Sequence, residues 1–471
     1  MLTLLDRISN TAEREPERPA LVNDSGVVTS YNGLWRSIVD YSSGIASVKP
    51  NILIEACGNI ETVAAILGIM HSGRTAIPYN PQITANDLGF LKQKTEGIMF
   101  QDALATGAGH ENEILPSASP LIIFTSGTTG KPKGVIVSAT NLDHSCKVIG
   151  DYLEYGERRS SAVILPLFYS YALISQVFAH LYYAGTVHLF ESFKNPLRIS
   201  RKIEERSVEI FSGVPSSFAA LAMLNEIQPI EVSSVRTVCT AGAPFSADLY
   251  EKVRGIFPNA VVFNNYGATE ATPRISFISD REEEFHAGGC GRPISGLELV
   301  VLDEHTQQPV AEGIEGILAI KGPNVTPGYY DDPELTQNAF TDDGYFVTND
   351  FGSVKRGIIY VRGRADDIFD VGGEKVAPLE IERALTALNE IEQAVVVGKP
   401  DAQRGNIPIA FLKLREDLTK AAIFDHLREV LSPIKVPARY YRVESFPETS
   451  NGKVRRNELK NENVGVLHEI R

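Results

Sequence analysis

Apolar and polar positions change their rhythm twice along the chain. From about residue 120, short apolar runs alternate with stretches of helical period. Leu121–Phe124 is one such run; a Gly/Ser/Thr-rich loop follows, and Gly134–Ser138 is predicted as the next strand. Val208–Phe211, Val235–Thr240 and Ala260–Phe263 read as strands, with helices predicted over Pro215–Leu224 and Ala247–Ile256. Alternation of this kind argues for α/β layers with largely parallel strands. Near Gly296 the texture becomes β-rich: Leu297–Leu302, Gly316–Ile320 and Ile358–Val361 are short strands separated by Gly, Pro and Asp. After Gly363-Arg364 the pattern restarts, with helices over Pro378–Leu388 and Lys420–Leu431 and strands over Glu392–Val397, Ile407–Leu414 and Ala438–Val443. The expected architecture is α/β: a large N-terminal domain (1–365) of layered α/β subdomains plus a β-rich subdomain, and a small α+β C-terminal domain (366–471), with the boundary near Asp366.

Ser160–Phe190 contains no Asp, Glu, Lys or Arg and is long enough to suggest a membrane span. Pro166, Ser170, Gln176, His180 and Gly185 interrupt it. Buried core fits better: strand Val163–Leu167, helix Leu173–Ala184 and strand Thr186–Phe190.

The formal net charge of −14 disfavours a broad basic face for nucleic acid. Any anionic ligand must be held by a local device. The cysteines, Cys57, Cys146, Cys239 and Cys290, have neither metal-ligand spacing nor the density of a disulfide framework. Met1–Pro16 carries Asp6, Arg7, Glu13 and Arg14 and lacks the apolar core of a signal peptide. A reducing, cytoplasmic compartment is expected.

The local device is the loop Thr125-Ser126-Gly127-Thr128-Thr129-Gly130-Lys131-Pro132-Lys133-Gly134. Glycines let backbone N–H groups converge, hydroxyls add donors and lysines add charge, as a phosphate cradle requires. It is not a Walker loop, because Pro132 stands where the second glycine would be and lacks an N–H. The segment resembles the signature loop of the adenylate-forming superfamily, which includes acyl-CoA synthetases, peptide-synthetase adenylation domains and beetle luciferases.

Further segments resemble that superfamily's other motifs in order. In Tyr266-Gly267-Ala268-Thr269-Glu270, the resemblance implies that Tyr266 stacks on adenine, Thr269 touches the α-phosphate and Glu270 holds Mg²⁺. Asn264 would meet the adenine amino group, and Gly242 and Ala243 would form the other adenine wall. In Tyr345-Phe346-Val347-Thr348-Asn349-Asp350, the resemblance gives Asp350 the ribose hydroxyls. Relatives usually have Gly where Asn349 stands, and Asn tolerates unusual backbone angles. Arg364 would contact ribose or phosphate, and Asp366 would be the hinge of a mobile C-terminal domain. Lys453, after Pro447-Glu448-Thr449-Ser450-Asn451-Gly452, would be the adenylation lysine, bridging substrate carboxylate and α-phosphate.

The resemblance implies activation of a carboxylic acid by ATP to acyl-AMP with release of pyrophosphate, then transfer to a thiol. CoA is the expected acceptor, and the phosphopantetheine of an acyl or peptidyl carrier protein is the alternative. Amino-acid activating relatives place an Asp where Tyr169 stands, so an α-amino acid is disfavoured: its ammonium would lack a partner. Many acyl- and aryl-CoA ligases have His there and Gly in place of Ala172. The resemblance makes Tyr169, Val214, Ser216 and Ala271 the pocket candidates, and the length of 471 residues, short for a fatty-acid synthetase, favours a small aryl or short-chain acid. A nucleotide-binding module without chemistry would require loss of Lys453, Glu270 or Asp350, and all are present. Nothing in the sequence demands a luciferase-type oxygenase.

Overall fold

The computed structural model describes residues 3–45, 49–105, 119–126, 132–156, 159–401, 403–447, 454–460 and 466–470. Two compact units divide the chain: 1–299 with 320–347 and 357–359, and 300–319 with 348–356 and 360–471.

The first unit holds two large sheets. In the nine-stranded sheet the order is Arg292–Pro293, Ser276–Ser279, Val261–Tyr266, Thr237–Ala241, Ile210–Gly213, Ser160–Val163, Thr186–Leu189, Pro19–Val22, Val28–Ser30. The six strands from Val261–Tyr266 to Pro19–Val22 run parallel, and the strands at both margins are antiparallel. The five-stranded sheet runs Ile98–Met99, Asn51–Glu55, Thr75–Tyr79, Leu121–Ser126, Pro132–Val137, parallel except for the last pair. Helix Ile60–His71 is buried without a break from Thr62 to Met70, so it is apolar all round and lies inside the core. The α/β expectation therefore holds, with antiparallel margins that strand–helix alternation does not reveal.

The uncharged stretch is folded core. Its first strand stops at Val163, not Leu167. Pro166 cannot donate to a ladder, and its carbonyl instead closes a turn by accepting from Tyr169 N at 3.2 Å. The following helix starts earlier than predicted, at Tyr171, and is a π-helix to Phe178 before an α-turn, Ala179–Tyr182. Widened turns of this type recur at functional sites. Among the described residues no helix is long and apolar enough to cross a membrane.

Glu298–Leu302, Gly316–Lys321, Phe346–Lys355 and Ile358–Arg364 form a four-stranded sheet in that order, confirming the β-rich stretch. In the second unit the long strands Ile391–Asp401 and Gly405–Leu414 pair antiparallel, and the latter runs parallel to Arg439–Val443. Helices Pro378–Thr386 and Lys420–Val430 contribute Ile381, Leu385, Ile423 and Leu427 to the core beside Val396 and Leu412.

The C-terminal turn, Arg456–Lys460, is fixed by a buried ion cluster. Glu382, 7% exposed, accepts from Arg456 Nη2 at 2.8 Å and from Val396 N at 2.7 Å. Arg456 also donates to Val396 O at 3.0 Å and lies 3.4 Å from Asp367. Arg456→Met would strand the Glu382 carboxylate. Urea unfolding is expected to show the second unit destabilised by about 3–5 kcal/mol. Arg456→Met with Glu382→Leu is expected to recover most of that loss, since the pair is then replaced by apolar contact.

Candidate active site

The Gly/Ser/Thr-rich loop is the turn of an antiparallel hairpin. Thr125 pairs with Lys133 and Ser126 with Pro132, so the ladder closes on both sides of 127–131. Gly127, Thr128, Thr129, Gly130 and Lys131 lie outside the described residues.

A strap, residues 323–330, joins this hairpin to the Thr269–Ala271 turn. On the hairpin side, Ile136 N donates to Gly328 O at 3.1 Å and Tyr330 N to Gly134 O at 2.7 Å. The Thr326 hydroxyl donates to Ile136 O at 2.6 Å. On the other side, Thr326 N donates to Glu270 O at 2.7 Å, and Asn324 Nδ2 donates to Ala271 O at 2.7 Å and Arg274 O at 2.8 Å. Tyr329 completes the bridge: its hydroxyl donates to Glu270 Oε1 at 2.9 Å, and its ring centroid lies 5.5 Å from Lys133 Nζ. The hairpin's cation and the turn's carboxylate thus share one aromatic neighbour. Asn324, Thr326 and Tyr329 escape sequence reading because their part in the site depends on contacts remote in sequence.

The turn is tightly folded. A Cβ on Gly267 would stand 1.8 Å from Pro273 O, so only glycine fits there. Thr269 Oγ1 lies 3.1 Å from Ser170 Oγ, which brings the Leu165–Ala172 run against this turn. Ala271 is fully buried. Among the described residues no group of three or more His, Cys, Asp or Glu is placed to hold a metal. A single carboxylate, Glu270, suits Mg²⁺, which normally completes its shell with phosphate oxygens and water.

Two parallel strands end beside the turn. Ala241 pairs with Asn265 and Thr240 with Asn264, which sets Gly242 next to Tyr266 at the carboxyl ends of the strands. Ligands of open α/β sheets bind at such ends. Gly242 has φ +86°, so glycine is required there by the backbone rather than by crowding; the nearest atom to a Cβ would be Val214 Cγ1 at 3.6 Å. Gly242 and Ala243 are exposed, Asn264, Tyr266 and Val214 half-buried, and Ser216 exposed in the first turn of helix Pro215–Ile227. Tyr169 is half-buried with its ring 4.3 Å from that of Phe168, and burial pushes its phenol up to about 12. It is therefore neutral near pH 7.

The second unit carries the remaining candidates. Asp350 Oδ1 accepts from Arg364 Nη1 at 3.1 Å, and Arg364 also donates to Thr348 O at 2.8 Å. The Thr348 hydroxyl donates to Leu318 O at 2.7 Å and accepts from Asp350 N at 3.0 Å, fixing the carboxylate's backbone. Asn349 has φ +58°, the conformation for which Gly or Asn is suited. Asp366 is exposed in the turn Ala365–Asp367. Lys453 lies outside the described residues; of those nearest to it, Arg455 N donates to Pro447 O at 2.8 Å.

Comparison with known proteins gives two family matches: "AMP-binding enzyme" over residues 94–330 and "AMP-binding enzyme C-terminal domain" over 380–453. The 2-succinylbenzoate–CoA ligase of Geobacillus kaustophilus is 33% identical, covering 98% of each chain. The o-succinylbenzoate CoA synthetase of Bacillus subtilis in complex with its acyl-adenylate intermediate has a TM-score of 0.87 at 26% identity, covering 98% of this chain and 99% of its own. The B. subtilis enzyme has also been solved with ATP and a magnesium ion, with a TM-score of 0.86 at 26% identity, covering 96% and 99%.

The two glycines should respond differently to Ala. Gly267→Ala forces backbone apart and is expected to lower the thermal midpoint by several degrees or prevent folding. Gly242→Ala adds only left-handed strain, about 1–2 kcal/mol, measurable as a smaller midpoint shift.

Proposed function

The chain belongs to the AMP-binding enzyme family as an AMP-forming acid–thiol ligase, and from that premise we propose that it activates a small aryl carboxylic acid and passes the acyl group to CoA. The observation that carries the reading is the strap that holds Lys133 and Glu270 on either side of Tyr329, beside the glycine-rich hairpin. A triphosphate needs a cation and a carboxylate for Mg²⁺, and the glycine-rich sequence between the paired strands would add the amides.

In the proposed scheme Gly242, Ala243, Asn264 and Tyr266 receive adenine, and Asp350 accepts from the ribose hydroxyls beside Arg364. Thr125–Gly130 and Lys133 hold the phosphates, with Thr269 at the α-phosphate. Glu270 is the residue that would hold Mg²⁺, which when bound neutralises phosphate charge. The substrate carboxylate attacks the α-phosphorus, the bond to pyrophosphate breaks, and acyl-AMP forms. Carboxylate is a weak nucleophile and both partners are anionic, so alignment and charge neutralisation are what the protein supplies. Lys453 is assigned the charge that gathers between carboxylate and α-phosphate. The thiol then attacks the acyl carbonyl and AMP leaves, with Asp366 the proposed hinge between the half-reactions. The domain boundary is placed near that residue.

Tyr169, neutral and half-buried where an Asp would pair a substrate ammonium, supports an acid without an α-amino group. Val214, Ser216 and Ala271 are the accompanying pocket residues. CoA rather than a carrier protein is favoured as acceptor because the similar proteins named above are CoA ligases and synthetases.

Acid-dependent ATP–pyrophosphate exchange across an acid panel tests the reading; orthophosphate release without exchange would refute it. Lys453→Ala is expected to abolish exchange while leaving thioester formation from supplied acyl-AMP intact. Equal loss of both would remove that residue's assignment. Tyr329→Phe removes a hydrogen bond to Glu270 and is expected to lower exchange about tenfold or more, with the circular dichroism spectrum unchanged.

A further inference from the structure

We infer that Ser170 is a positioning residue for adenylation: its hydroxyl donates to Thr269 Oγ1 and so commits the Thr269 proton to the α-phosphate. This role rests on the adenylation reading above and adds to it the group that aims the α-phosphate donor.

Ser170 Oγ lies 3.1 Å from Thr269 Oγ1, across 99 residues of sequence. Two hydroxyls at that distance share a bond in either sense, because each has one proton and free lone pairs. An anion beside Thr269 removes the choice. Phosphate oxygens at neutral pH only accept, so Thr269 must spend its one proton on the phosphate. The bond between the hydroxyls then has one remaining sense, with Ser170 donating. Ser170 is only 5% exposed, so water has little access to take its place.

Both partners stand on fixed backbone. Ser170 precedes the π-helix Tyr171–Phe178, whose residues from Ala172 to Phe178 are all buried. Its hydroxyl caps none of that helix's amides and is left for Thr269. The Thr269 carbonyl accepts from Thr272 N at 3.1 Å, and Ala268 O accepts from Ala271 N at 2.9 Å, which closes the turn. What remains free is the Thr269 side-chain torsion, for which staggered wells compete. A donor at Ser170 selects one well. It also strengthens the O–H it bonds to, since linked hydrogen bonds polarise one another. Negative charge grows on the α-phosphate oxygens as the carboxylate attacks, so a better-aimed donor acts on kcat more than on KM. Tyr169 of the proposed acid pocket is the neighbouring residue, so one segment serves both reactants.

The test is ATP–pyrophosphate exchange by the full chain with an acid that supports it. Ser170→Ala is expected to lower kcat about three- to tenfold, with KM for ATP unchanged. Thr269→Val removes the donor itself and is expected to cost more. The double variant Ser170→Ala with Thr269→Val is expected to be no slower than Thr269→Val alone, because the serine acts only through the threonine. Ser170→Thr and Ser170→Val have the same shape and differ by the hydroxyl. The Thr variant is expected to exceed the Val variant by the same three- to tenfold, about the worth of one hydrogen bond, and this pair decides the matter if the Ala variant does not fold. Unchanged kcat in Ser170→Ala, a raised KM for ATP in place of a lowered kcat, equal rates for the Thr and Val variants, or independent losses in the double variant would each overturn this role and leave the adenylation reading standing. Absence of wild-type exchange with every acid would overturn both.

Discussion

The hydrogen bond from Thr326 N to the Glu270 carbonyl, together with that from the Thr326 hydroxyl to Ile136 O, is the joint on which the candidate site depends. One residue thereby ties the glycine-rich hairpin to the turn that carries Thr269 and Glu270. Tyr329 repeats the connection through its side chain, from the Glu270 carboxylate to the face presented to Lys133. Most of these bonds use backbone groups buried away from water, where an unmade bond is costly. Hairpin and turn are therefore held at one separation without a covalent link.

Around this joint the electrostatics are local. The chain as a whole is acidic, yet Lys133 stands over the Tyr329 ring and Arg274 is fully buried with the Tyr171 ring against it. The tyrosines near Arg274 are kept neutral by burial, so they donate without adding negative charge. The charge around this joint is thus set by where a few groups are desolvated, not by the net charge.

The second unit uses a different device. Asp350, Arg364 and Thr348 form a small hydrogen-bonded set on one sheet, partly open to solvent. Farther along the chain, Arg456 buries its charge against Glu382 and Asp367, a few residues after Lys453.

The sequence by itself determined the parts whose signal is local. Helix Ala247–Ile256 falls where its period places it, because an amphipathic stripe needs only its own residues to be recognised. The strands between Thr237 and Tyr266 and the unusual backbone at Asn349 were legible because their signal, too, is local. Tertiary structure alone decided the rest. The strand predicted to reach Leu167 ends at Val163, where Pro166 turns the chain into a π-helix. The sheet margins are antiparallel, and the 323–330 strap carries no motif of its own. Gly267 is compulsory because Pro273 folds back onto it, and Arg274 is buried because strands, turn and π-helix converge on it. Local pattern specifies an element, but burial and hydrogen-bond partners are properties of residues far apart in the chain, and only their packing assigns them.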